Sequence, residues 1–189
     1  MSTATDHTLD IPGYRAGTWV LDPSHSEVHF SVRHMMISKV RGTFGMKSAT
    51  LVAPENPLDA RVTASVDVTS LDTKDEGRDQ HLRSADFFDV ETYPTMEFVS
   101  TGVRVEKGEM LVDGDMTIRG VTKPVTLEFD FGGFGTDPWG NYKAGATATT
   151  VINREDFGLT WNAALETGGV LVGKDVTITL DLQGALQQD

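Results

Sequence analysis

Apolar and polar residues alternate along most of this chain with a period of two. In the clearest example, Val28, Phe30 and Val32 fall on one face of a segment, with polar residues between them. Because successive side chains of a β-strand point to opposite sides, this alternation is typical of a strand with one buried face. The pattern recurs in residues 61–68, 96–98, 110–118, 125–131 and 170–182. The sequence therefore predicts an all-β protein of antiparallel strands.

Turn-forming residues separate the predicted strands, and no long linker divides the chain. Glycine, proline, asparagine and aspartate residues indicate turns at 54–57, 107–108, 119–120 and 132–141. Residues 40–52 and 143–152 give weaker strand patterns, and we interpret Gly42 and Gly45 in the first as bulges or points of sharp curvature. A chain of 189 residues then forms one domain.

Two architectures could hold about eight antiparallel strands on one core, namely a sandwich and a closed barrel. The predicted inward positions mix large side chains, such as Met116 and Phe98, with small ones, such as Ala64 and Gly114. That mixture favours a barrel with adaptable interior space, because methionine adjusts its shape around an apolar guest. An ordinary filled core explains the same residues, and composition alone favours it.

Two segments depart from the period of two and are predicted to be short helices. Residues 73–89 begin with Thr73 and Glu76 at the spacing of a capping box. Further along, Asn153 is expected to cap one helical turn, which Gly158 ends.

Composition excludes several classes of function. Sixteen lysines and arginines against 28 aspartates and glutamates give a net charge of −12, which repels the phosphate backbone of nucleic acids. The chain has no cysteine, so disulfides, thiolate nucleophiles and cysteine-ligated metals are excluded. Residues 1–15 do not resemble an export signal, and we expect a cytoplasmic protein with no integral membrane segment.

No motif predicts catalysis, a metal site or a cofactor. The sequence lacks the motifs of serine hydrolases, zinc proteases and phosphate-binding loops. His25 and His29, with Asp22 or Glu27 nearby, give only a weak indication of a metal site. We therefore predict none.

His81 is the best single candidate for acid–base chemistry. Asp75 or Asp79 could orient it as a general base. However, Asp79 and Arg83 are four residues apart, and charged pairs at this spacing are typical of a helix face exposed to solvent. We interpret His81 as part of such a face.

Large aromatic residues in the connecting segments need apolar partners. Phe87 and Phe88 end the first predicted helix, while Phe157, Trp161 and Leu165 lie in the second break. These residues could plug the ends of a barrel, or they could line the mouth of an internal cavity. The sequence leaves both alternatives open.

Five blocks of sequence carry a resemblance to a known family. They are DPSHSEVHFSVRH (22–34), VRGTF (40–44), RDQHLRSADFFD (78–89) with YP (93–94), IRGVTKPV (118–125) and INREDFG (152–158). In this order, along residues 19–182, they resemble the YceI-like family. The resemblance implies an extended antiparallel eight-stranded lipocalin-like barrel over residues 18–185, with one or two short helices at its ends. Residues 1–17 would form an N-terminal extension.

The same resemblance implies a function. Its barrel would enclose an apolar pore that holds one long-chain lipid of the polyisoprenoid, isoprenoid quinone or fatty acyl type, in a carrier or storage protein that is not an enzyme. Two alternatives stay open: an enzyme that acts on an isoprenoid or quinone through a histidine at the pore mouth, and a stress-linked interaction module. Pairing of barrels side by side into a homodimer is a further alternative.

The period of two assigns the lipid-contacting side chains. Inward strand positions are expected to line the pore, and four further apolar residues are expected near its openings. The strand residues are Phe30, Val32, Phe44, Met46, Phe98, Met116, Ile118 and Phe129, and the residues near the openings are Met36, Phe87, Trp161 and Leu165.

Overall fold

Nine β-strands and one α-helix form within residues 9–166 and 168–188, which the computed structural model describes. The strands are β1 (Gly17–Leu21), β2 (Glu27–His34), β3 (Ser38–Ala53), β4 (Arg61–Asp72), β5 (Thr95–Glu106), β6 (Glu109–Ile118), β7 (Val121–Thr136), β8 (Tyr142–Asn153) and β9 (Val172–Leu186). The helix is α1 (Glu76–Arg83), and three 3₁₀ helices span Pro23–His25, Pro57–Asp59 and Arg154–Phe157. The prediction of an all-β protein is confirmed.

These nine strands fill eight positions around a closed ring. From β2 to β9 each strand pairs antiparallel with the next, and β9 returns to pair with β2. β1 lies in line with the start of β2 and pairs with the C-terminal ends of β3 and β9. β1 and β2 therefore share one position, which the 3₁₀ helix Pro23–His25 interrupts. The molecule is a closed eight-stranded antiparallel barrel, and the sandwich alternative is wrong.

Glycines within the strands make room for aromatic rings on the inner face. A Cβ atom on Gly42 would overlap the ring of Phe30, and one on Gly114 would overlap the ring of Phe98. The register between β3 and β4 also shifts between Thr43 and Gly45. The predicted irregularity in residues 40–52 is therefore confirmed, and it lies inside a continuous strand.

One predicted turn is shorter than expected. The sequence indicated a turn over residues 132–141, but β7 continues through the glycines as far as Thr136. A register shift against β8, between Phe131 and Gly133, accommodates this glycine-rich stretch without ending the strand.

The two ends of the barrel differ in how they are closed. At one end Trp19, Ala53 and Ala144 are buried against the rings of Phe134 and Tyr142, and we call this the closed end. At the other end lie α1, the 3₁₀ helix Arg154–Phe157 and the hairpin that joins β2 to β3. We call this second end the mouth.

The helix α1 begins later than the capping-box spacing predicted. Asp75, not Thr73, caps it by accepting a hydrogen bond from the Arg78 backbone N–H at 2.9 Å. Thr73 instead donates its backbone N–H (2.9 Å) and its hydroxyl (2.5 Å) to the buried carboxylate of Asp79. The 3₁₀ helix capped by Asn153 confirms the other predicted helical turn.

Residues 9–16 lie against the closed end. The Tyr14 hydroxyl donates to the Pro54 carbonyl at 2.6 Å, and the Tyr142 hydroxyl donates to the Gly13 carbonyl at 2.5 Å. Residues 1–8 of the predicted N-terminal extension lie outside the described residues, so its boundary stays a prediction. Across the described ranges, no helix has the length and apolar character needed to cross a bilayer.

Candidate functional site

The barrel encloses a cavity of about 260 Å³ whose wall is almost entirely apolar. Aliphatic, aromatic and methionine side chains from β2 to β9 form the wall, and polar residues contribute mainly at the mouth. Three groups of buried residues surround the space, centred on Phe44, Phe87 and Phe98. The side chains of this sheet therefore leave interior space for an apolar guest, which an ordinary filled core would not.

Most of the predicted lipid-contacting residues lie together in this wall. Ten of the twelve line the cavity: Phe30, Val32, Phe44, Met46, Phe87, Phe98, Met116, Ile118, Phe129 and Trp161. Their contact with a lipid stays a prediction, but the inward orientation of the eight strand residues follows from the period of two. Phe157, by contrast, is fully buried beside Phe87. The aromatic residues of the connecting segments thus divide between a plug and a lining.

Met36 and Leu165 do not line the cavity. Met36 lies in the turn between β2 and β3, has a positive φ of 60° and is 57% exposed. Leu165 lies in a tight turn, in which its backbone exchanges hydrogen bonds with Gly168 and Gly169. Both residues are in connecting segments, where strand periodicity gives no information about side-chain direction.

The predicted lipid-contacting set left out the wall residues of β4, β8 and β9, although Ala64 was among the predicted inward positions. Ala64 and Ala148 face the cavity from β4 and β8, and five residues of β9 do so: Val172, Val176, Ile178, Leu180 and Leu182. The alternation in residues 170–182 could have found the β9 residues. The alanines carry little apolar signal, although their small size is what leaves the space open.

His81 lies at the mouth, where its side chain is 39% exposed and also packs against two aromatic rings, a contact that the interpretation as a solvated face did not include. Its ring meets the rings of Trp161 and Phe87 edge to face, with centroids 4.7 Å and 5.2 Å away. Its Nε2 lies 2.9 Å from the Asp86 carboxylate. The partner is thus Asp86, because Asp75 and Asp79 are held by the hydrogen bonds that begin α1.

Arg154 is a buried cation at the mouth, with only 3% of its surface exposed. Its guanidinium donates to the carbonyls of Gly173 (2.7 Å), Leu159 (2.5 Å), Trp161 (3.0 Å) and Val172 (3.2 Å). Among the described residues no carboxylate forms an ion pair with it, and burial lowers its pKa. The charge is therefore balanced by carbonyl dipoles, and it fastens the loop before β9 over the cavity.

The other histidines among the described residues lie outside the cavity or at its edge. His29 lies on the outer face between Glu27 (3.3 Å) and Asp181 (3.2 Å). His25 bonds to Asp22 at 2.7 Å, and hydrogen bonds from Ser24 and His25 hold the pKa of Asp22 at about 2. In residues 9–166 and 168–188 no group of three potential ligands is placed to hold a metal ion.

Comparisons with known proteins agree with this geometry. A UPF0312 protein of Staphylococcus aureus strain MSSA476 is 38% identical over 160 residues, which cover 84% of this chain and 91% of that protein. Burkholderia cenocepacia BcnA has a similar structure, with a TM-score of 0.72, 24% identity and coverage of 86% of this chain and 98% of that one. A polyisoprenoid binding domain from Saccharophagus degradans matches with a TM-score of 0.67 and 14% identity, over 89% of this chain and 98% of that one.

The family comparison covers almost the whole barrel. A family model described as the YceI-like domain matches residues 19–184, from β1 to β9. That span agrees with the five sequence blocks and with the closed barrel and its apolar cavity. The chain belongs to the YceI-like family.

Proposed function

We propose that this protein binds one long apolar lipid chain inside its barrel and carries it as a soluble complex. The observation that carries the proposal is the cavity, which is apolar along the barrel and polar only near the mouth. An apolar chain inside would be removed from water, and a polar head group would stay at the mouth beside His34, His81 and Arg78. Nothing in this mode of binding requires bond chemistry.

The wall gives an estimate of the longest chain that fits. Lining residues follow β9 from Val172 to Leu182, a stretch of about 33 Å at about 3.3 Å per residue. A strand tilt of about 40° reduces this to about 25 Å along the barrel axis. An extended chain of single bonds advances about 1.2 Å per bond, judged from the dimensions of the polypeptide backbone. By length alone, the wall therefore accommodates an extended chain of about 20 atoms.

Energetics favour chains that use this whole length. Burial of a methylene contributes about 0.8 kcal/mol, so a dozen contribute about 10 kcal/mol. Association and ordering cost about 4–15 kcal/mol. Short chains would therefore bind weakly, and chains near the full length would bind tightly.

An apolar wall selects a ligand by its length and width, so polyisoprenoid, isoprenoid quinone and fatty acyl chains would all fit it. The solved relative described as a polyisoprenoid binding domain supports the first of these.

Extraction of the purified protein tests the proposal. Organic extraction followed by mass spectrometry should release a long-chain lipid at close to one molecule per barrel. Delipidated protein should then bind a homologous series of chains with an affinity that rises with length and levels off near about 20 atoms. A folded protein that yields no lipid and takes up no member of the series would contradict the proposal.

One observation favours a second candidate function. The His81 imidazole and the Asp86 carboxylate form a hydrogen-bonded pair, and His81 lines the cavity, as a general base acting on a bound isoprenoid or quinone would require. Incubation of the loaded protein, with mass analysis of its lipid over time, tests this function. A chemical change that disappears in His81→Ala, while lipid binding persists, would favour the enzyme. An unchanged lipid would favour the carrier.

A further inference from the structure

The hairpin turn between β2 and β3 exposes three consecutive apolar side chains at the mouth. Met35 is 45% exposed, Met36 is 57% exposed and Ile37 is 83% exposed. Runs of this kind are rare on soluble surfaces unless they contact something. Met35 and Met36 also have positive φ values of 54° and 60°, a conformation that bulky side chains seldom adopt. The turn thus holds a strained backbone while it presents apolar groups to solvent.

The same hairpin concentrates positive charge in an acidic protein. Residues 28–54 contain no aspartate or glutamate, although the whole chain has 28 of them. This segment carries four cations: Arg33, Lys39, Arg41 and Lys47. All four are exposed, and Arg33 and Lys39 face each other across the strand pair. Within the described ranges, no carboxylate forms an ion pair with any of them.

The turn is also part of the cavity mouth. Val32, His34 and Val40, which flank the turn, line the cavity. The Met35 backbone N–H donates to the carbonyl of Leu171, another wall residue, at 2.7 Å. A surface that covered the three apolar side chains would therefore lie directly over the entrance.

We propose that this hairpin, residues 33–41, docks the barrel on an anionic lipid bilayer. Met35, Met36 and Ile37 would enter the interface between head groups and acyl chains, and Arg33, Lys39 and Arg41 would contact lipid phosphates. The mouth would then open towards the membrane, where apolar lipids reside. The docking surface goes beyond lipid binding in the barrel, since it is defined by the outside of the molecule.

The net charge of −12 does not oppose this orientation at physiological salt. Charges are screened over about 8 Å, whereas the sixteen residues of β3 extend about 40 Å along the barrel axis at about 3.3 Å each and a tilt of about 40°. Carboxylates at the closed end are therefore screened. The elements beside the hairpin contribute Asp72, Asp175 and Glu166 at the mouth, and these carboxylates do not outnumber the hairpin cations Arg33, Lys39 and Arg41.

Vesicle sedimentation with the full-length protein tests the docking surface. Wild-type protein should bind vesicles of phosphatidylcholine with about 30% phosphatidylglycerol, and it should bind pure phosphatidylcholine far more weakly. Lys39→Gln/Arg41→Gln should weaken binding about 30-fold, since each cation near an anionic surface contributes about fivefold. Ile37→Ser should weaken binding at least about 10-fold, because it removes a side chain that would be buried in the interface. Both variants should keep the wild-type lipid content of the barrel.

Matched controls lie at the other end of the barrel. Trp139, in the β7–β8 turn, is 82% exposed, and Trp139→Ser should leave vesicle binding unchanged. Arg61→Gln/Lys107→Gln removes the same charge as the hairpin pair and should also have no effect. Equal losses in the controls, or equal wild-type binding to both kinds of vesicle, would overturn the proposal. So would hairpin variants that change the oligomeric state in sedimentation velocity without changing vesicle binding, since the turn would then join two copies. Vesicle binding is measured whatever the barrel contains, so a failure here is distinct from a failure of lipid binding.

Discussion

Replacement of Ala64 by leucine tests whether a bound chain passes through the middle of the barrel. Ala64 faces the cavity from β4, and its neighbours Ala49 and Phe98 on the adjacent strands line the cavity too. The leucine adds three carbons to the wall. If these carbons displace three methylenes of the ligand, at about 0.8 kcal/mol each, the affinity falls by about 2.4 kcal/mol, or about 50-fold.

The stability of Ala64→Leu should change much less than its affinity. Burial of the added carbons contributes up to about 2.4 kcal/mol, and overpacking costs about 1–3 kcal/mol. The free energy of unfolding should therefore stay within about 2 kcal/mol of the wild-type value. Urea unfolding of delipidated protein measures the free energy of unfolding, and titration with a long-chain lipid measures the affinity.

The adjacent residue provides the control for this substitution. Thr63 is exposed on the outer face of the same strand, so Thr63→Leu adds apolar bulk outside the cavity and should leave lipid affinity unchanged. A folded Ala64→Leu protein with undiminished affinity would refute the reasoning. In that case the chain either avoids this part of the cavity or does not bind inside the barrel.

Three further predictions concern the cavity wall, the mouth of the barrel and the loss of stability at low pH. Phe98→Asp places a carboxylate in the apolar wall, so it should abolish lipid uptake and lower stability by at least about 3 kcal/mol. Val151→Asp, on the exposed face, should change neither lipid uptake nor stability. Equal lipid content in both variants would contradict the assigned faces. Arg154→Met removes the only donor to the Leu159 and Trp161 carbonyls that is found among the described residues. It should lower the free energy of urea unfolding by about 2–5 kcal/mol, with a smaller loss in Arg154→Lys. Wild-type stability in both variants would argue that Arg154 does not hold the loop in place. Folding lowers the pKa of Asp22 from 3.8 to about 2, so the contribution of Asp22 to stability is present above pH 3.8 and is lost as the pH falls through about 2. The difference in urea midpoint between wild type and Asp22→Asn should shrink over that interval. A constant difference would show that the carboxylate charge is not involved.

Much of the barrel could be predicted from the sequence because its strands have one buried and one exposed face. The alternation around Phe30 and Met116 identified the strands, and the same parity placed both side chains in the cavity wall. Closure into a ring was not readable from periodicity, since a sandwich alternates in the same way. The family resemblance supplied that step.

The mouth was the least predictable part because it is built from connecting segments. Charged neighbours made His81 look solvated, yet the ring packs on Trp161, which is 80 residues away along the chain and brought near only by the fold. Arg154 gave no warning either, because a single arginine in a polar turn looks exposed. Its burial depends on carbonyls that converge only when the loop before β9 folds back.

Because β9, the last strand, hydrogen-bonds to β1 and β2, the barrel closes only at the end of synthesis. β9 supplies partners to both β1 and β2, so the ring stays unsealed until Leu186 has left the ribosome. Until then β2 and β8 each present an unpaired edge, and the apolar interior is open to solvent or to a chaperone. Pairings this distant in sequence also slow spontaneous folding. A lipid present at that moment could be enclosed as the final seam forms, instead of threading in later through the mouth.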